Sequence, residues 1–318
     1  MDRLLIVTSS PRLPAGVLSW PAWEALRSGP VRALDPETAQ ARAVRAAGID
    51  VLAAPGAAAV RELARGGRTA VWLAGPGGDP DVVAALSELA ATDDGVEVEV
   101  VTGSWDPPGA RLLDVVAVMD RLRSPGGCPW DAEQTHQTLA PYLLEESYEL
   151  LEAIEEDDVT HLREELGDVL LQVAFHARLA EERPDGERWS IDEVAADLVA
   201  KLIRRHPHVF ADRVVGGVAE VAANWDEIKA AEKRRESVTD GVPLGQPALA
   251  LAAKLQRRAA KAGLDVAAPG DGLGARLFAI VGEAVDADVD PEAALRATAR
   301  TYRSALRAAE GASADGTD

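Results

Sequence analysis

Between residues 141 and 177 the chain reads PYLLEESYELLEAIEEDDVTHLREELGDVLLQVAFHA, and this stretch restricts the fold more than any other. Apolar residues recur at helical spacing on both sides of a short acidic break at 156–159. Leu143, Leu144, Tyr148, Leu151 and Ile154 supply the apolar positions of a first helix over 141–155, with Thr138 as its N-cap. Leu162, Leu166, Val169, Leu170, Val173 and Ala174 form the stripe of a second over 160–181. Two helices joined by so short a turn are antiparallel neighbours. Acids interleave with both stripes. Glu146 and Glu149 are three apart and face one side, and Glu165 and Asp168 repeat the spacing. The hairpin geometry sets the two pairs at similar heights on facing helices. Four carboxylates so placed repel one another and hold protons more tightly unless a cation neutralises them. An all-oxygen set suits a hard divalent ion, magnesium above all, whereas zinc calls for thiolates or several histidines. Spacing alone leaves two readings open: a metal site, or the solvated face of an acidic chain. Glu152, Glu155, Glu156, Asp157 and Asp158 fit the second, and Glu145 and Glu164 stand between supporting partners and plain surface.

Composition limits the partners. The chain has 318 residues and a formal net charge of -20. No basic footprint for nucleic acid dominates. An acidic chain still takes an acidic substrate where metal ions and a few local cations neutralise it. Cys128 is the one cysteine, which excludes an intramolecular disulfide and fits a reducing, cytoplasmic setting. No apolar run reaches the length of a membrane span, and the N-terminus has no clear signal peptide.

Ahead of the hairpin, strands are expected at 3–8, from about 50, at 69–73 and at 96–102, and helices at 37–46, 57–64 and 79–89. That alternation predicts a small α/β domain over 1–108. Its loops at 54–58 and 75–77 match neither a dinucleotide fingerprint nor a P-loop. The run WDPPG at 105–109 marks a boundary, followed by a helix over 110–123 and a loop over 124–131. After the hairpin, Ser190 and Glu193 form a capping-box pair opening a helix at 191–205, and another is expected at 218–235 with Trp225 and Ile228 buried. A Pro- and Gly-bearing linker at 241–247 precedes helices at 248–261, 273–286 and 291–309, and a disordered tail at 311–318.

Basic residues cluster in KLIRRHPHVF, at Lys201, Arg204 and Arg205, and again at Lys229, Lys233, Arg234 and Arg235. Arginine beside a carboxylate–magnesium group suits a polyphosphate, while the bland alternative is a favourable positive helix end. Trp130 and Trp225 are core residues or stacking platforms for a nucleobase, and His206 and His208 are a weak metal signal.

The pattern EE-x-x-E at 145–149 followed by E-x-x-D at 165–168 resembles the MazG nucleoside triphosphate pyrophosphohydrolases, and RLRSPGGCPWDAEQTH, KLIRRHPHVF and WDEIKAAEK extend the likeness over roughly 110–240. The resemblance implies a helical bundle over 109–240, dimeric or more highly assembled. It implies Mg2+-dependent hydrolysis of nucleoside triphosphates between the α and β phosphates, with Mn2+ as a substitute. By the same resemblance Glu146, Glu149, Glu165 and Asp168 are metal ligands and Glu145 an accessory catalytic acid. Lys201, Arg204, Arg205, Trp130 and Lys229 would meet the substrate. A narrower dNTP or dUTP pyrophosphatase and a non-catalytic nucleotide-binding regulator are the alternatives. Residues 241–310 resemble a degenerate second copy, with Ala275 at the metal-ligand position and Gly272 replacing an acid. The 1–108 region resembles a shortened, eroded tetrapyrrole-methylase domain without methyltransferase activity. The expected class is therefore α+β multidomain, with one active centre per protomer.

Overall fold

The computed structural model describes residues 2–65, 67–93, 95–211, 215–218, 220, 221, 224, 225, 228, 232, 236–268 and 270–314. They divide into two compact units, Met1–Asp197 and Leu198–Asp318.

The first unit opens with five parallel strands, β1 (Asp2–Thr8), β2 (Val31–Ala33), β3 (Val51–Ala53), β4 (Thr69–Leu73) and β5 (Val96–Thr102), in the spatial order β3-β2-β4-β1-β5. Leu5 of β1 faces Val71 of β4 on one side and Glu99 of β5 on the other. Four consecutive buried apolar residues, Leu4 to Val7, suit a central strand covered on both faces. Leu5, Val7, Val71 and Leu73 pack with Leu26 of helix α1 (Trp20–Arg27) and Val44 of helix α2 (Ala39–Ala46). Leu4, Ile6 and Trp72 pack with Val60 of α3 (Ala57–Ala64) and Leu86 of α4 (Pro80–Thr92). The edge strand β5 carries Glu97 and Glu99, and Arg3 reaches Glu99 at 2.5 Å, which charges the exposed edge. Sequence pattern alone assigns nothing to 9–36. There α1 lacks a side-chain cap and β2 is only three residues long, so neither announces itself locally.

Polar contacts fasten this layer to the helices that follow. Arg12 donates to Asp106 and, at 2.5 Å, to Asp114 of α5 (Arg111–Arg123), while Ser10 also donates to Asp106. The arginine lies between both acids, which hold its charge and are themselves kept below the usual carboxylate range, Asp106 chiefly by Ser10 and Asp114 chiefly by Arg12.

A five-residue helix α6 (Pro129–Glu133), begun by Pro129, takes over the last residues of the segment expected to be a loop. Gly127 lets the loop close against α5, since a Cβ there would stand 2.2 Å from the carbonyl oxygen of Leu122. The hairpin is α7 (His136–Glu156) against α8 (Val159–Ala180). Its first helix begins earlier than expected. Thr135 is the N-cap, with its hydroxyl accepting from the Thr138 N–H at 3.2 Å and the Thr138 hydroxyl accepting from the Thr135 N–H at 2.9 Å. This capping box outcompetes Thr138 as a start and leaves Pro141 inside the helix. Asp157 takes the left-handed conformation, φ 55°, and Asp158 caps α8 by accepting from Thr160 and His161.

The expected stripes are only partly buried. Leu139, Phe175 and Leu179 pack with Met119 of α5 and Ala153 is buried, but Leu144 is 59% exposed, Ile154 55% and Leu166 52%. Periodicity predicts an apolar stripe on each helix, and the first unit covers only part of each.

Helix α9 (Ile191–Arg205) starts as predicted, the Glu193 carboxylate accepting from the Ser190 N–H at 2.7 Å. The short α10 (Pro207–Phe210) follows. In the second unit α11 (Ala248–Lys261), α12 (Leu273–Asp286) and α13 (Pro291–Ala314) pack on one another. Gln256 of α11 donates to the Phe278 carbonyl at 2.7 Å. Helix α13 continues through Ala314, into the segment expected to be a disordered tail. Most of the helix expected at 218–235 lies outside the described residues. Trp225 is exposed rather than buried, and Ile228 is half-buried.

Candidate metal centre

The antiparallel hairpin brings Glu146 of α7 beside Glu165 and Asp168 of α8, each with a carboxylate oxygen within 4.8 Å of the others. Glu165 is buried, and Glu146 and Asp168 are half-buried. One Glu165 oxygen lies 2.9 Å from Nε2 of His161, one turn earlier on α8. Its other oxygen, Oε2, is buried without a partner. A buried carboxylate oxygen left unpaired is costly, and in an acidic group it is the position a hard cation fills. Glu146 holds its proton above the usual carboxylate range, through burial first and then the charges of Asp168, Glu149, Glu165 and Glu145. Both observations fit a divalent metal held by this donor set.

The remaining predicted residues lie on α6, α7, α8 and α9 and beyond it. Glu149 and Glu145 are exposed on α7 and stand outside the three-carboxylate group, although both charges are felt at Glu146. Glu164 is exposed. Trp130 on α6 meets Tyr142 of α7 edge-to-face at 6.1 Å, with one surface open to solvent. On α9, Lys201 is exposed, and Arg204 and Arg205 both bind Glu232. His206 donates from Nδ1 to the Leu202 carbonyl at 2.7 Å, and its ring lies 5.7 Å from that of His208. Lys229, Lys233, Arg234 and Arg235 lie outside the described residues.

Sequence reading missed His161. Its spacing of four from Glu165 was the available signal. It also missed a histidine pair at the far end of the hairpin. The rings of His136 and His176 are parallel, with Nδ1 atoms 2.7 Å apart, so one donates and the other accepts. His176 is held below the ordinary histidine value by burial and then by His136.

Residues 134–210, which contain the whole carboxylate group, match the MazG nucleotide pyrophosphohydrolase domain. A protein of Streptomyces cacaoi described as an uncharacterized 26.1 kDa protein is 55% identical over 74% of this chain and 98% of its own length. The nucleoside triphosphate pyrophosphohydrolase of Mycolicibacterium smegmatis is 44% identical over 75% of this chain and 69% of its own. The nucleoside triphosphate pyrophosphohydrolase/pyrophosphatase MazG of Thermotoga maritima is 40% identical over 61% of this chain and 83% of its own. The chain belongs to the MazG family. A solved mazG-related protein of Thermotoga maritima is 28% identical over 37% of this chain and 96% of its own, with a TM-score of 0.31.

Gly272 opens α12 and Ala275 lies in its first turn, where the resemblance sets a second ligand pair. Among the described residues, Glu146, Glu165 and Asp168 are the one group of three or more metal-binding side chains brought together.

Proposed function

We propose that this chain hydrolyses nucleoside triphosphates between the α and β phosphates, giving a nucleoside monophosphate and pyrophosphate, and so clears unwanted nucleotides from the pool. The observation that carries the reading is the Glu146–Glu165–Asp168 group with its unpaired buried oxygen, inside the segment matched to the MazG domain. Relatives named for this activity support it. Magnesium, or manganese in its place, would acidify a bound water and neutralise charge gathering on the leaving pyrophosphate.

The chain's own residues divide the remaining work. Glu146, Glu165 and Asp168 hold the cation, and Glu149, three residues from Glu146 on the same helix, completes the ligand set with Glu145 behind it. His161 fixes the rotamer of Glu165 through the oxygen the metal does not take. Lys201, Arg204 and Arg205 on α9 and Lys229 belong to the substrate-binding set. Trp130 offers an exposed indole to the base, a contact that tolerates many bases because each has a stacking face. The catalytic domain is taken as 109–240, with 241–310 a degenerate repeat. The N-terminal layer is taken as a shortened methylase-like module without transferase activity.

The exposed apolar side of the hairpin supports a homodimer built on α7 and α8. Replacing Leu166 with Arg is expected to convert a dimer to monomer in analytical ultracentrifugation. A wild-type chain sedimenting as a monomer at micromolar concentration ends that part of the reading.

The activity is tested by incubating the protein with a panel of NTPs and dNTPs and Mg2+ and analysing products. Monophosphate plus pyrophosphate is expected. Turnover of dUTP alone would select the narrow pyrophosphatase, and orthophosphate plus diphosphate, or no turnover, sinks the proposal. Asp168→Ala is expected to remove several kcal/mol of charge stabilisation, on the order of 10²- to 10³-fold in rate, with helicity kept in circular dichroism.

A further inference from the structure

We propose that the outer edge of β5 takes up an extended basic segment of another protein as an added strand of the sheet. β5 stands last in the sheet order, so one side of its backbone has no neighbouring strand. The hydrogen-bonding phase says which groups that leaves over. The Asp2 N–H donates to the Gly95 carbonyl at 2.7 Å, and the Gly103 N–H donates to the Thr8 carbonyl at 2.8 Å. Along a strand the main chain turns alternately to either side. The odd-numbered residues of β5 therefore turn their N–H and C=O toward β1, and the even-numbered ones turn theirs outward. Both ends of the outward row are occupied. The Val96 N–H donates to the Asp93 carbonyl at 3.0 Å, and the Ser19 hydroxyl donates to the Thr102 carbonyl at 3.0 Å. Between them, the N–H and C=O of Val98 and of Val100 have no partner among the described residues. Val100 is 56% exposed, so this part of the edge is open to solvent.

The side chains beside the row say what kind of strand fits. A cavity of about 280 Å³ lies where α1 meets β1 and β5, lined among others by Arg3, Leu5, Glu24, Ala25, Glu99 and Val101. Arg3 is its one cation. It reaches Glu99 at 2.5 Å and Glu97 at 4.0 Å, and no ion pair among the described residues reaches the exposed Glu24. Residues directly opposite one another on paired strands share a face and interact. Residues of an added strand opposite Glu97 and Glu99 thus lie on the acidic α1 side, where lysine or arginine is favoured. Those between them extend the apolar surface of Val98 and Val100 on the other side. The fitting partner alternates basic and β-branched residues, with main-chain bonds giving affinity and alternate side chains giving specificity. A second copy of β5 fits less well. Antiparallel pairing about Val98 or Glu99 sets glutamate against glutamate, and pairing about Val100 calls on the Thr102 carbonyl that Ser19 already holds.

The probe is a fluorescein-labelled peptide of about six residues, alternating lysine and valine, titrated into the full chain and followed by anisotropy. Two controls separate strand addition from the attraction of any cation to an acidic protein: the same residues in blocks, and the alternating peptide N-methylated along its backbone. Each is expected to bind at least about 10-fold more weakly than the alternating peptide. In hydrogen exchange, the amides of Val98 and Val100 should gain protection when that peptide is added. Glu99→Lys should weaken binding about 10-fold, by setting like charges opposite each other. Val100→Pro removes one outward N–H and leaves the bonds to β1 in place, and should weaken binding about 5- to 10-fold with a melting temperature near wild type. Should that variant fail to fold, Glu99→Lys, at an exposed position, still decides. Absence of binding up to about 1 mM overturns the inference. So does equal affinity for either control peptide, wild-type affinity in Glu99→Lys, or protection gained elsewhere than at Val98 and Val100. Protection of those two amides that rises with protein concentration without peptide would assign the edge to a second copy and overturn it as well.

Discussion

The α/β layer and the helical hairpin lie in one compact unit yet finish their cores differently. In the layer, Leu4, Ile6, Val7, Val71 and Trp72 are fully buried, and each face of the sheet is covered by helices that the chain itself returns. In the hairpin, Leu139, Ala153 and Phe175 are buried while Leu144, Tyr148, Ile154 and Leu166 stay open to solvent. Among the described residues the hairpin keeps three side chains with a buried unpaired polar atom, at Glu165, Gln172 and His176, whereas in the sheet and its helices Gln40 of α2 is the one such residue. A parallel sheet cannot be built without crossovers, and those crossovers supply its cover. A helical hairpin has no such guarantee. What it leaves uncovered is apolar outside, at Leu144, Ile154 and Leu166, and acidic inside, at Glu146, Glu165 and Asp168.

Stability measurements can break this contrast. Trp72 is wholly buried, and its Nε1 donates to Asp79 at 3.0 Å. Trp72→Ala is expected to cost about 3–5 kcal/mol of unfolding free energy in urea titrations. Ile154→Ala should cost less than about 0.5 kcal/mol in the monomer. Equal costs would mean that the hairpin is covered in solution by this chain itself. A smaller effect probes the acidic interior. His161→Ala leaves Glu165 without its partner and should lower Mg2+ affinity about 10- to 100-fold, read as a shifted Mg2+ dependence of turnover and of melting temperature. Unchanged Mg2+ dependence would remove His161 from the site. The smallest effect concerns pH. Because folded His176 binds its proton less tightly than the unfolded chain does, this residue costs no stability above 6.5 and destabilises the fold progressively as the pH falls below it. His176→Phe should flatten that decline in melting temperature measured between pH 5 and 8, and a slope identical to wild type would show that another group is responsible.

Much of the fold was legible because local signals agreed. Val96–Thr102, Ala57–Ala64, Ala248–Lys261 and Leu273–Asp286 end where alternation, helical period, proline and glycine place them. The start of α7 was misplaced because Pro141 reads as a first-turn residue, yet the reciprocal bonds of Thr135 and Thr138 outweigh the donor that proline lacks. The acid pairs were visible as spacing. That Glu146, Glu165 and Asp168 converge while Glu149 stands exposed depends on how the two helices rotate about their axes, which period alone does not fix. The same limit explains Leu144 and Leu166. Hydrophobic period says which residues share a face, and only packing says whether anything covers it.

The strand order has a kinetic meaning. β1 is encoded first but sits inside the sheet, and its neighbours are residues of β4 and β5, with Leu5 waiting for Val71 and Glu99. Closing such distant pairs is slow, because loop entropy is lost before the contacts that reward it form. α7 and α8 need only the turn at Asp157 and Asp158 to meet. In pulse-labelling hydrogen exchange during refolding, amides of Val159–Ala180 should therefore gain protection before those of Asp2–Thr8, so the acidic hairpin would take shape while the first strand of the chain is still unpaired.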